Sequence, residues 1–287
     1  MKYLIIVGTG LIGASVALAL RQAGYKGKIT GIDKSEAERG EALMTQGFDA
    51  VYDVAELERA GVATANVILL ATPVLAILDW MERLSPMLHE NQLVTDVGST
   101  KTDIAESARV LFNQPGKASF LPGHPMAGRE SGGAVMAYAE LFQTAMWLFT
   151  PVAEASRLET EWRSWVAKMG ARTRDLNALQ HDETCAWVSH LPQMLSTALA
   201  ALLEETFADD PEGLAAVQAI GGRALKETTR LGASPYSMWR DIAMTNTEPI
   251  AMTLLALEQR LAHIRENLRT PELREEFRLA NAFRVQH

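Results

Sequence analysis

Cysteine is nearly missing from this chain: one thiol, Cys185, stands among 287 residues, and it cannot close an intramolecular disulfide. That fits a reducing compartment. Long apolar runs are missing too. Gly, Pro or a charge interrupts every candidate before the roughly 18 residues that a membrane span needs. Nor is there an excess of cations, since 27 Lys and Arg face 35 Asp and Glu for a formal net charge of −8. A chain that coats nucleic acid or anionic lipid needs the opposite sign, although local basic sites for small anions remain open. Finally, the N-terminus runs from Lys2 to Val7 straight into a glycine turn, with no cationic leader, apolar stretch and cleavage site. The expectation is a soluble, cytoplasmic protein, mature from its first residue, with no nucleic acid or membrane as partner.

What is present is the composition of a globular protein, 48% hydrophobic and 22% charged. The length prior of about 150 residues per domain gives roughly two domains. Up to Thr150, short runs rich in Val, Ile and Leu alternate with longer amphipathic segments, the pattern of parallel strands joined by crossover helices. Strands are expected at Tyr3–Val7, Lys28–Asp33, Val67–Ala71, Leu93–Asp96 and Ser119–Leu121, with a sixth at Ala145–Thr150. Helices are expected at Leu11–Ala23 and Lys101–Leu111, and a last edge strand at Ala171–Leu176. Beyond residue 176 the apolar positions recur three and four apart, as in Trp187, Val188, Leu191, Leu195, Leu199 and Leu202. The expected fold is therefore an α/β Rossmann-type doubly wound parallel sheet over residues 1–170, followed by an all-α helical domain over 171–287. A helix at Thr247–Asn267 carries Ile250, Leu254, Leu257, Leu261 and Ile264 on one face. Such stripes exceed what a small helical domain buries alone, so a homodimer built on this half is expected.

Gly8, Gly10 and Gly13 form G-x-G-x-x-G directly after the first strand and at the mouth of a helix. In that setting the glycines serve a tight turn, close approach of backbone to a pyrophosphate, and helix-to-strand packing. The turn Gly8-Thr9-Gly10-Leu11-Ile12-Gly13 then offers amides and the positive end of a helix dipole to phosphate. Asp33 follows twenty residues after Gly13, at the end of the next strand, where a carboxylate binds the adenosine ribose hydroxyls. NAD is the expected cofactor, because that carboxylate repels a 2′-phosphate; Lys34 and Arg39 nearby leave NADP open. Thr72-Pro73 and Asp96-Val97-Gly98-Ser99 follow later strands at carboxyl ends, where open α/β sheets bind ligands. The same residues would also serve as helix starts and caps, Pro73 at N1 and Ser99 or Thr100 as N-cap.

The segment Gly123-His124-Pro125-Met126-Ala127-Gly128-Arg129-Glu130 carries a histidine, the natural acid or base near neutral pH, among glycines that allow close ligand approach. Taken with the glycine turn, Asp96-Val97-Gly98-Ser99-Thr100-Lys101, Val188-Ser189-His190-Leu191-Pro192 and Met238-Trp239-Arg240-Asp241, it closely resembles the prephenate and arogenate dehydrogenases of tyrosine biosynthesis. The resemblance spans about residues 4 to 245. It implies a Rossmann domain followed by a helical dimerisation domain, and oxidative decarboxylation of prephenate to 4-hydroxyphenylpyruvate with NAD as hydride acceptor. It further implies His124 as the catalytic histidine at the ring hydroxyl and Ser99 as the serine that orients it. His190 is implied at the substrate site, Arg230, nine residues before Trp239, at the ring carboxylate, and Glu130 near the substrate entrance.

Arogenate, or both cyclohexadienyl substrates, remains open alongside prephenate. Other Rossmann-plus-helical dehydrogenases, such as β-hydroxyacid dehydrogenases or imine reductases, share the architecture but not the joint His124, Ser99 and Arg230 motifs. A non-catalytic dinucleotide sensor is the alternative of a different class. No metal is expected: His181 and His190, nine residues apart, point to opposite faces of a helix, and His124 has no His or Cys at ligand spacing along the chain.

Overall fold

Apolar runs of four or five residues, too short for buried helices and rich in β-branched side chains, make most of a six-stranded sheet. In the computed structural model, which describes residues 1–129 and 132–286, the strands are β1 (Tyr3–Val7), β2 (Lys28–Ile32), β3 (Ala50–Tyr52), β4 (Val67–Leu70), β5 (Leu93–Asp96) and β6 (Ser119–Leu121). Their order is β3-β2-β1-β4-β5-β6, and every neighbouring pair is parallel. Side chains alternate between the two faces. Leu4 and Ile6 of β1 join one core with Leu20, Ile29 and Leu69, while Ile5 and Val7 join the other with Ile32, Ile68 and Leu70. Helices cover both, which explains why these strands read as continuous apolar runs.

For placing a ligand, register matters more than the core. Val7 lies opposite Ile32 on one side and Leu70 on the other, and Leu70 lies opposite Asp96. The carboxyl ends of four strands are thereby level, and the chain direction across the sheet reverses between β1 and β4. Crevices for ligands form at that reversal.

Two expectations need correction. The strand expected at Ala145–Thr150 exists, as β8 (Met146–Phe149), but it does not extend the parallel sheet. It is the middle of a second sheet, antiparallel to β7 (Gly123–Pro125) and parallel to β9 (Arg172–Asp175). The sixth parallel strand is instead β3, three half-buried residues with too little apolar content to register as a run. His124, for which no strand is expected from the sequence, sits in the middle of β7, paired with Leu148.

Two compact units result. The first comprises Met1–Cys185 together with Ala233–Asn246, and the second Ala186–Gly232 together with the residues from Thr247 onward. Helix Tyr236–Thr245 thus belongs with the sheet. Its Asp241 carboxylate accepts from Leu75 N at 3.4 Å, and its Thr245 hydroxyl meets that of Thr100 at 2.7 Å. In the second unit the helices are Leu191–Thr206, Pro211–Ile220, Gly222–Thr229, Thr247–Glu266 and Glu272–Gln286. Large apolar side chains on this unit remain exposed, among them Leu202, Ile220, Met252, Leu261 and Phe277. Among the described residues, no helix is long and apolar enough to cross a membrane.

Gly13 shows how tightly the first turn is built: a Cβ there would stand 2.0 Å from the Gly8 carbonyl oxygen and 3.0 Å from Ile6 Cγ2. Gly13→Ala is expected to lower the free energy of unfolding in urea by about 1–3 kcal/mol through overpacking. Gly40→Ala, inside helix Glu36–Met44 with nothing within 4 Å of the added carbon, should raise it by about 0.4–1 kcal/mol under the same conditions.

Candidate functional site

Where β1 ends, Gly8 takes φ +92°, a conformation that favours glycine, and a side chain there would run into the Ala71 carbonyl, 2.4 Å from the Cβ position. Gly10 then starts helix Leu11–Gln22 with no side-chain cap on its first amides. A Cβ at Gly10 would meet only Glu38 Oε2, at 4.0 Å, so the approach to those amides is open. Unused amides, a helix N-terminus and open space together make a phosphate cradle. At the tip of β2 the Asp33 carboxylate accepts from Thr9 N at 2.8 Å and from Ser35 N at 2.9 Å, which fixes its direction.

Two adjoining pockets lie along these strand ends. One, of about 240 Å³, is lined by Gly8, Gly10, Asp33, Lys34 and Glu38; the other, of about 340 Å³, by Leu11, Ile12, Ser99 and His124. Gly10, Ala71, Thr72 and Pro73 wall both, so the two form one cleft. The Thr72 hydroxyl is buried in that wall without a hydrogen-bond partner among the described residues. A buried orphan hydroxyl beside an uncapped helix start fits an extended, polar, phosphate-bearing ligand. Of the two cations that left the cofactor open, Lys34 lines the cleft. Arg39 is engaged elsewhere, donating to the Asp33 carbonyl at 2.9 Å and to Asp53 Oδ2 at 2.7 Å.

The second pocket contains the histidine. Asp96, the last residue of β5, is fully buried and accepts from Gly98 N at 2.7 Å, from Gly123 N at 3.0 Å and from the Lys101 ammonium. Burial pushes the Asp96 carboxyl up and the Lys101 ammonium down, and their contact opposes both shifts. One carboxylate thus anchors the turn that bears Ser99 and the first residue of the strand that bears His124.

His124 Nδ1 lies 2.9 Å from His181 Nε2, and His181 Nδ1 lies 2.8 Å from Asp182 Oδ1. Asp182 also accepts from Lys101 N at 2.7 Å and Thr102 N at 2.8 Å. Burial alone would push the Asp182 carboxyl up. The hydrogen bonds from His181 and Thr102 outweigh it and hold the group below the usual carboxylate range, hence ionised. Burial also lowers His181, hence neutral. An ionised acceptor at Asp182 assigns the His181 proton to Nδ1, which leaves Nε2 to accept. The proton between the rings then belongs to His124 Nδ1, and the basic nitrogen of His124 is Nε2. Cys185 lies beside this pair, its Sγ 3.6 Å from His181 Nε2, with burial pushing the thiol up to about 12.

His124 and Ser99, singled out from sequence, line the same pocket. So do Gly10, Leu11, Ile12, Thr72 and Pro73, while Thr9 contacts Asp33 from the adjoining turn. His190 closes a π-helical turn, Ala186–His190, and is buried; Arg230 opens a short 3₁₀ turn, Arg230–Ala233. Glu130 lies outside the described residues. Sequence reading missed His181, Asp182 and the Asp96–Lys101 pair. Helical spacing compares His181 with His190, whereas the neighbour of His181 is His124, across 57 residues. Only the adjacency of His181 to an acid hinted at an oriented imidazole.

Comparisons with known proteins give the family. The family model described as "Prephenate dehydrogenase, nucleotide-binding domain" matches residues 16–174, and "Prephenate dehydrogenase, dimerization domain" matches residues 177–284. The chain is 31% identical over 267 residues to the prephenate dehydrogenase of Lactococcus lactis subsp. cremoris, covering 93% of this chain and 70% of that protein. It is 32% identical over 250 residues to the prephenate dehydrogenase of Bacillus subtilis, covering 86% of this chain and 65% of that one. Prephenate dehydrogenase from A. aeolicus, solved in complex with hydroxyphenyl propionate and NAD+, superposes with a TM-score of 0.88 at 27% identity, over 100% of this chain and 98% of that chain. The arogenate dehydrogenase of Synechocystis gives a TM-score of 0.77 at 30% identity over 99% of each chain. On the strength of both family models and these relatives, the chain belongs to the prephenate dehydrogenase family.

Proposed function

We propose that this protein is an NAD-dependent prephenate dehydrogenase that converts prephenate to 4-hydroxyphenylpyruvate and carbon dioxide. The observation that carries the reading is the His124–His181–Asp182 chain at the wall of a dinucleotide cleft. It presents a basic imidazole nitrogen where a hydroxyl-bearing carbon would meet a nicotinamide.

When bound, NAD supplies the hydride acceptor. The residues of the chain then have separate tasks. His124 Nε2 takes the proton of the substrate's ring hydroxyl as the adjacent C–H bond breaks, so charge does not build on the oxygen. Asp182, through His181, stabilises the imidazolium formed on His124, as a buried carboxylate does for other catalytic histidines. Loss of carbon dioxide from the opposite ring carbon completes the aromatic ring, and the proton returns from His124 to the phenolic oxygen. By family resemblance Ser99, which lines the same pocket on the turn fixed by Asp96, orients His124 and the hydroxyl. By family resemblance, Arg230 receives the ring carboxylate through its planar fork, His190 contacts the substrate, and Glu130 lies near the entrance. Gly8, Thr9, Gly10, Leu11, Ile12 and Gly13 hold the pyrophosphate and Asp33 the ribose, with Thr72 and Pro73 lining the path. No metal takes part. The reading is completed by a cytoplasmic homodimer, whose two copies pair through the exposed apolar faces of the second unit.

Turnover is expected with prephenate and NAD, followed as NADH absorbance; faster turnover with arogenate would transfer the assignment to that substrate. His124→Asn should lower kcat by roughly 10²- to 10⁴-fold with KM little changed, because only proton transfer is lost. Arg230→Gln should mainly raise KM, reflecting about 2–4 kcal/mol of lost carboxylate binding. Near-native kcat in His124→Asn would remove His124 from the chemistry.

The cofactor choice has its own check. Asp33→Ser should erode discrimination against NADP by roughly 1–3 kcal/mol, from a lost charged hydrogen bond and relieved repulsion. The ratio of kcat/KM for the two cofactors measures it, and a wild-type preference for NADP would overturn the assignment to NAD.

A further inference from the structure

Cys185 has no part in the reaction above, yet it is buried against the two histidines that carry it. One ligand atom from each of His124, His181 and Cys185 lies within 4.8 Å of the others, and all three residues are buried. His181 Nδ1 is held by Asp182 at 2.8 Å, the carboxylate–histidine arrangement that orients imidazole ligands toward a metal. His181 Nε2 therefore points its lone pair at the space shared by His124 Nδ1 and Cys185 Sγ.

The separations suit one cation in particular. Two nitrogens on a tetrahedral zinc stand about 3.4 Å apart, and a nitrogen and a sulfur about 3.6 Å, from bond lengths of about 2.0–2.1 and 2.3 Å. Sγ to His181 Nε2 is 3.6 Å already, while the two nitrogens, at 2.9 Å, must part by about 0.5 Å. His124 lines the pocket, which brings the cluster to the edge of the cleft. Two imidazoles and a thiolate suit zinc and its softer relatives such as cadmium over magnesium or calcium. The neighbouring Lys101 ammonium opposes a cation, so the site is suited to capture at elevated metal concentration and not to a resident metal.

We propose that His124, His181 and Cys185 form an inhibitory site for thiophilic divalent cations, zinc foremost, which shuts the enzyme by occupying its catalytic histidine. Binding is balanced in protons: Cys185 loses its thiol proton to solvent as the sulfur–metal bond forms, and the His124 proton leaves Nδ1 and is replaced at Nε2. His124 then has no basic nitrogen facing the substrate. The inhibition arm rests on the catalytic reading of His124, whereas metal binding itself does not.

The test uses the purified protein, with wild type, Cys185→Ser and Cys185→Ala shown by thermal melts to be folded. Cobalt(II) should bind wild type at one equivalent and give a thiolate-to-cobalt charge-transfer band in the near ultraviolet, lost in both variants. Zinc should inhibit wild-type turnover, slowly because the site is buried, and a chelator should restore it. The variants, which keep basal turnover, should need at least roughly tenfold more zinc for the same inhibition. Absence of the cobalt band in wild type, or its persistence in both variants, overturns the site whatever the substrate proves to be. A wild-type band with zinc inhibition unchanged in the variants overturns the inhibitory role.

Discussion

Asp96 ends β5 with no exposed surface, and its charge is tolerable there only because the Lys101 ammonium and the amides of Gly98 and Gly123 surround it. Desolvating an unpaired carboxylate costs several kcal/mol, so each donor is held in place by that penalty. The donors come from the turn after β5, the start of the next helix and the first residue of β7. Satisfying one buried charge therefore fixes the backbone on which both Ser99 and His124 stand. Lys101 passes the constraint onward, since Asp182 accepts from its amide and from that of Thr102. Asp182 thereby serves the open start of helix Thr102–Leu111 and, with its remaining capacity, orients His181.

Carboxylates meeting backbone amides recur along the cleft. Asp33 is clamped by Thr9 and Ser35, Asp96 by Gly98 and Gly123, and Asp182 by Lys101 and Thr102. Apart from Gly123, which opens β7, the amides belong to a turn or helix start at the carboxyl end of a strand, where N–H groups lack partners within their own element. Among the described residues, the helix start after Gly10, at the centre of the cleft, carries no side-chain cap. An anionic ligand is the natural completion of that series.

How much of this was legible along the chain depends on whether partners are near in sequence. The glycine turn, β1, β4, β5 and the helix after Gly10 were readable because burial on both faces imposes an apolar run and the turn imposes glycine. β3 was not, since its three residues are half-buried and carry no such pressure. The second sheet was missed because the unbroken apolar run Met146–Phe149 reports that the strand is buried and not which strand lies beside it. His124 and Ser99 were found through motifs, but His181 contributes through a contact spanning 57 residues, which leaves no local periodicity. For the same reason Arg39 read as a cation available to a phosphate, although the structure ties it to Asp53.

The chain leaves the first unit after Cys185, returns for Ala233–Asn246, and leaves again. The helix supplied by that return closes hydrogen bonds to Leu75 and Thr100. During synthesis the sheet, its crossovers and the histidine pair can all emerge while this helix is still unmade. Chains are made at about 5–20 residues per second, and domains generally fold as units, N-terminal first. Here the N-terminal unit must wait for residues that come after the whole of the second unit's first segment. Its completion is therefore a late event, shared in time with the helical half, and a ribosome stalled before Asn246 would hold a sheet whose final helix is missing.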